Sequence, residues 1–135
     1  MQPDPHELAA AWLETARRDV RDAAVLAETS ANTACFLSQQ AAEKAFKALL
    51  IFFAGDSPRS HRTPHLLAEA EALQLGVSPR VRDALLTLEK HYIPTRYPEA
   101  LGGAIPGDVY TVAEARAAIE SATTVIDDVA RQLGA

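Results

Sequence analysis

The sequence has little of several residue types on which specialised folds and sites depend. Cys35 is its one cysteine, which excludes a disulfide within the chain and favours a reducing compartment. The longest unbroken apolar run, from residue 48 to residue 54, is too short to cross a bilayer, and the N-terminus has no basic-then-apolar signal. We therefore expect a cytoplasmic protein that does not enter a membrane.

Positive charge and the common metal and nucleotide motifs are also scarce. The net charge of −5 argues against binding of long nucleic acids through overall basicity, although it leaves room for a local basic patch. The sequence contains no CxxC, HExxH, Walker A or GxGxxG motif, and Leu88 stands where a di-iron bundle would need a glutamate three residues before His91. We expect neither a metal nor a cofactor.

The most informative stretch runs from Asn32 to Gly55. Gln40, Glu43, Lys44 and Lys47 recur at steps of three and four residues and so share one face of a helix. Apolar residues cover the remaining faces, namely Ala41, Ala42, Ala45, Phe46, Ala48, Leu49 and Leu50. A helix that is apolar nearly all round belongs at the centre of a bundle or in a subunit interface.

Capping signals divide the rest of the chain. Asp4 followed by Pro5 starts a first helix, Ser78 followed by Pro79 starts a fourth, and Thr111 with Glu114 forms a capping box that starts a last one. A third helix is expected from about residue 66 to Gly76, and residues 93–110 read as a loop. Short connections between such helices predict an all-α, up-and-down bundle of four to five helices, with residues 1–135 forming one domain.

A cluster of cations lies in the loop before the third helix, where Arg59, His61, Arg62 and His65 occur without an acid among them. Guanidinium groups and the donors of a helix N-terminus can together hold a phosphate. The alternative is a basic loop that is simply solvated.

A second candidate site is the turn from Tyr92 to Pro98, which places Arg96 between two prolines and beside two tyrosines. An arginine held in this way offers a planar fork to phosphate, and Tyr97 and Tyr92 offer rings on which a base can stack. This combination is typical of a nucleotide or RNA site.

Three parts of the sequence together resemble the HEPN family of small helical domains. They are the run from residue 39 to residue 50, His65 at a helix start, and the turn from residue 92 to residue 98; the resemblance also extends from Trp12 and Asp19 to the Ala-rich last helix. It implies a four- or five-helix bundle that is usually a homodimer. It also implies a minimal nucleotidyltransferase encoded by the neighbouring gene, the two forming a toxin–antitoxin pair.

Many HEPN proteins are metal-independent ribonucleases that use an arginine followed four to six residues later by a histidine at the dimer interface. Arg96 matches the arginine, but no histidine follows it in this sequence. Arg59 and His65 have the right spacing in the wrong place, and His91 lies on the other side of Arg96. A displaced His91 or His65 would have to move the proton while Arg96 stabilised the phosphoryl charge.

Two functions from different classes follow, with a third in reserve. The first is a noncatalytic module that binds a nucleotide or RNA at a site lined by Arg96, Tyr97, Lys44, Lys47, His65 and Arg62. The second is a metal-independent ribonuclease toxin. The third is a helical adaptor without a small ligand.

The lysines of the polar helix face also have a simpler interpretation, because Glu43 and Lys47 can pair with each other. Separately, residues 51–53 are a candidate dimer surface.

Overall fold

The computed structural model describes residues 3–135, and over that range the chain forms helices and turns but no strand. The helices are α1 (Pro5–Leu26), α2 (Ala31–Ala54), α3 (Thr63–Ala72), α4 (Pro79–Glu89), a 3₁₀ helix (Pro98–Leu101), α5 (Pro106–Val109) and α6 (Val112–Leu133). The predicted all-α class and the five predicted helices are confirmed.

Local chemistry accounts for most helix ends. The Asp4 carboxylate accepts a hydrogen bond from the backbone N–H of His6 at 2.7 Å, which caps α1. Gly55 ends α2 with a positive φ of 83°, a conformation that glycine adopts without a steric penalty. Thr111 and Glu114 form both bonds of the predicted capping box at the start of α6.

The core forms around α2, which packs against α1 on one side and α6 on the other, while α3 and α4 cover the remaining side. The large residues of α2 that contribute to this core are fully buried: Phe46, Leu49 and Leu50. Burial of each such side chain is worth about 1.5–3 kcal/mol. The central position predicted for this helix is therefore confirmed.

The structure departs from the sequence prediction in two segments. The predicted loop of residues 93–110 contains the 3₁₀ helix and the short helix α5. Helix α3 begins at Thr63 rather than near residue 66, because the Thr63 N–H donates to the Glu89 carboxylate at 3.3 Å. The earlier start of α3 thus involves a contact between segments that are distant in sequence, whereas the two short helices each begin at a proline, Pro98 or Pro106.

At the C-terminal end of α2, the residues proposed as a dimer surface differ in exposure. Ile51 is buried, Phe52 stacks on the His6 ring with 4.1 Å between the ring centroids, and Phe53 is 48% exposed. One large ring is thus available for an external contact at this end of α2.

Residues 3–135 contain neither a candidate membrane span nor a candidate metal cluster. None of their helices combines the length and the apolar content that a membrane crossing needs. Their His, Cys, Asp and Glu side chains nowhere gather in a group of three or more with a metal-binding arrangement.

Candidate anion-binding site

The turn that carries Arg96 is fixed to the N-terminal end of α2. The Asn32 side-chain amide donates to the Thr95 carbonyl oxygen at 3.1 Å. Thr95 itself is 2% exposed, and its hydroxyl donates to the carbonyl oxygen of His91 at 2.6 Å. These bonds hold the turn on the bundle although it belongs to no long helix.

Arg96 is surrounded by aromatic rings but by no acid. Its Nε and Nη2 donate to the Tyr92 carbonyl oxygen at 3.0 and 2.7 Å. Its guanidinium carbon lies 4.5 Å from the ring centroid of Phe36, 4.7 Å from that of Tyr92 and 5.0 Å from that of Tyr97. Each exposed cation–π contact contributes about 0.5–1 kcal/mol. Within residues 3–135 no carboxylate pairs with this exposed cation.

A cleft of about 210 Å³ lies beside this turn, between the start of α3 and the end of α4. We call it the α3–α4 cleft; its lining consists of Arg62, Glu89, Lys90, Tyr92, Ile93 and Pro94. Tyr92 is therefore shared, since it lines the cleft and also contacts Arg96. Two cations and three apolar or aromatic side chains surround one carboxylate.

Glu89 occupies the place where the sequence predicts a phosphate. One of its carboxylate oxygens accepts from the Nε of Arg62 at 2.9 Å, and the other accepts from the N–H of Thr63 at the start of α3. The helix N-terminus and the nearest guanidinium thus already hold an internal anion.

The other cations of this loop do not gather around one point. His65 is exposed, and its Nδ1 lies 2.8 Å from the Ser60 hydroxyl. The Nδ1 of His61 lies 2.9 Å from the Glu43 carboxylate instead. The loop therefore distributes its basic groups among separate partners.

The two lysines predicted for the site are neutralised elsewhere. Lys44 donates to the Asp19 carboxylate at 2.7 Å. The Lys47 ammonium lies 3.5 Å from the Glu43 carboxylate, with the two side chains only 8% and 3% exposed, and 5.9 Å from the Trp12 ring centroid. Lys47 also lies roughly 16 Å along α2 from Phe36, because 11 residues rise about 1.5 Å each.

His91 lies in the same turn as Arg96 and is half-buried. Its Nδ1 is 3.3 Å from the Tyr110 hydroxyl, and burial lowers the pKa of His91 from its ordinary value of 6.5, with Lys90 acting in the same direction and Glu114 opposing it. Burial of the ring thus favours the neutral imidazole over the charged form. Burial likewise raises the pKa of Tyr110.

Sequence reasoning overlooked three residues that shape the site. Phe36 precedes Gln40 by four residues, so extension of the polar face of α2 by one turn would have reached it. Asn32 and Glu89 gave no such signal, because their partners are 63 and 26–27 residues away in sequence.

The fold and the site define a class of protein: an all-helical bundle with an arginine-bearing turn fixed to its central helix. The model of the HEPN domain family matches residues 9–132. The chain belongs to the HEPN domain family. A search of curated proteins returned no match.

Two solved structures are similar over almost their whole length. The crystal structure of TT1696 from Thermus thermophilus is 35% identical, with a TM-score of 0.83 and coverage of 91% of this chain and 96% of that one. The crystal structure of ST0689, described as an archaeal HEPN homologue, is 32% identical, with a TM-score of 0.76 and coverage of 93% and 97%. The family resemblance seen in the sequence is thus confirmed.

Proposed function

We propose that this chain is a nucleotide- or RNA-binding HEPN domain whose phosphate-binding residue is Arg96. The observation that carries the proposal is the environment of Arg96, an exposed guanidinium that three rings and one carbonyl hold in place without neutralising its charge. A preorganised, uncompensated cation loses little conformational freedom when it binds an anion.

The surrounding residues supply complementary contacts. Tyr97 is 46% exposed and offers a stacking face next to Arg96. Arg62 is paired through its Nε with Glu89, but its Nη groups remain as donors in the α3–α4 cleft, and the exposed His65 adds a donor further along the loop. Lys44 and Lys47 are not needed in this site, because Asp19 and Glu43 already compensate their charges.

The test is a binding titration of a short fluorescent single-stranded RNA, followed by anisotropy in EDTA. Arg96→Ala should weaken binding at least about tenfold, since charge-assisted bonds to phosphate contribute roughly 1.5–3 kcal/mol. Arg80→Ala is the matched control, because Arg80 is an exposed arginine at the opposite end of α4. Equal affinity of the Arg96→Ala variant and the unsubstituted protein would contradict the proposal.

A specific observation also supports the second function, a metal-independent ribonuclease. Burial lowers the pKa of His91 and so favours the neutral form that a general base requires, and His91 belongs to the same turn as Arg96, where the Thr95 hydroxyl donates to the His91 backbone carbonyl oxygen. In the same EDTA buffer, RNA cleavage that disappears in both Arg96→Ala and His91→Gln would replace the binding-only function with catalysis. Intact RNA after prolonged incubation would argue for binding alone.

The proposed assembly is a cytoplasmic homodimer that works with a minimal nucleotidyltransferase as one half of a toxin–antitoxin pair. Family membership supports this assembly, and the exposed Phe53 offers one apolar contact point. Light scattering on the purified protein tests the dimer. Co-expression with the neighbouring gene tests the pair, where toxicity of one product relieved by the other is the expected result.

A further inference from the structure

We infer that the α3–α4 cleft is a base-recognition pocket that selects guanine from the RNA bound at Arg96. This inference rests on the proposed function and adds a specificity to it. The cleft adjoins Arg96 through Tyr92, which is one of the residues that line the cleft and whose ring lies 4.7 Å from the guanidinium carbon. A nucleotide with its phosphate at Arg96 therefore has a pocket within reach of its base.

The size and lining of the cleft suit a single base. Its volume of about 210 Å³ is below the roughly 300–1,000 Å³ of pockets that hold drug-sized ligands. Tyr92, Ile93 and Pro94 supply an aromatic face and apolar edges, which are the surfaces that enclose an unstacked base.

The polar groups of the cleft determine which base fits. Glu89 is only 13% exposed, and each of its carboxylate oxygens accepts one bond from the protein, from Arg62 or from Thr63. A carboxylate has about four acceptor positions, so one position on each oxygen remains. Arg62 uses its Nε on Glu89, and its Nη groups remain available as donors beside that carboxylate.

Guanine matches this arrangement better than the other bases. Its Watson–Crick edge carries two adjacent donors, N1–H and the N2 amino group, next to the acceptor O6. The two donors can fill both free positions of Glu89 while O6 accepts from Arg62. Adenine, cytosine and uracil each present a single donor to a carboxylate on that edge, so one of the two free acceptor positions of Glu89 stays unfilled.

The test uses heptanucleotides of uridine that carry guanosine, adenosine, cytidine, uridine or inosine at the centre, titrated against the full chain. Inosine is the sharpest comparison, since it differs from guanosine only in lacking the N2 amino group. The guanosine oligonucleotide should bind at least ~5-fold more tightly than each of the others, the lower limit for a bidentate base contact.

Two variants locate the preference. Glu89→Gln removes one acceptor oxygen and should reduce the guanosine preference below about twofold, whereas Glu71→Gln, at an exposed glutamate paired with Arg82, should preserve it. If Glu89→Gln does not fold, the inosine comparison on the unsubstituted protein decides. Equal binding of all five oligonucleotides overturns the guanine pocket and leaves the proposed function standing, while absence of any binding overturns both.

Discussion

Two groups of charged residues lie along the same face of α2 and differ in how their charges are balanced. Near the middle of the helix, Lys47 is almost completely buried and has Glu43 as a partner, with His61 bonded to the same carboxylate. At the N-terminal end, Arg96 lies over Phe36 and has rings and a carbonyl oxygen but no acid. The charges of the first group are balanced within the fold, whereas the charge of Arg96 is not.

The contrast teaches how structural charge can be separated from functional charge. Desolvation of Lys47 and Glu43 makes each dependent on the other, so neither is free for a ligand. The Arg96 side chain stays in contact with water, so the fold does not require a counter-ion beside it. Sequence spacing alone could not distinguish Lys47 from Arg96, because both are cations beside aromatic residues.

The largest effect is expected when the buried pair is broken. Glu43→Ala leaves the Lys47 ammonium buried without a partner, so the free energy of unfolding should fall by about 3–5 kcal/mol. Urea denaturation followed by circular dichroism measures this loss. The matched control is Glu28→Ala, which removes an exposed pair with Arg116 and should cost less than ~1 kcal/mol. An equal loss of unfolding free energy in the two variants would show that the buried Lys47–Glu43 pair stabilises the fold no more than an exposed pair does.

A smaller effect on stability is expected at the turn. Arg96→Ala removes three exposed cation–π contacts and should lower the free energy of unfolding by about 1.5–3 kcal/mol, at about 0.5–1 kcal/mol for each contact. Arg96→Lys keeps the charge but loses the planar fork, so it should keep most of the stability while RNA affinity falls severalfold. The same denaturation and anisotropy measurements serve here. A stability loss as large as that of Glu43→Ala would identify Arg96 as a structural residue.

The smallest effect concerns His91, which is less buried than Lys47 and less exposed than Arg96. Because its pKa is lowered in the folded state, the unfolded chain binds more protons as the pH falls through 6.5, and stability should decrease in that window. His91→Gln should therefore show a shallower fall of Tm between neutral pH and about pH 5. Parallel Tm curves for the two proteins would show that groups other than His91 control the acid response.

The sequence predicted the parts of the molecule that are decided locally. Helix ends are defined by bonds between neighbours in sequence at Asp4, at Gly55 and in the Thr111 capping box. The apolar surface of α2 likewise predicted its central position in the bundle. The site depends on contacts over long sequence separations. The position of Glu89 between Arg62 and Thr63 was decided by packing and has no signal in sequence spacing, whereas spacing places Phe36 on the polar face of α2 but does not show that Arg96 lies over it.

The bond from the Asn32 side chain to the Thr95 carbonyl oxygen connects the first turn of the central helix to the turn that carries Arg96. Any rotation or sliding of α2 would therefore carry Arg96 and Tyr92 with it, together with the wall of the adjoining cleft. A displacement of α2 would in this way change the geometry of the proposed binding site without any contact at the site itself. The Asn32 amide makes this connection together with the contact of Arg96 with Phe36.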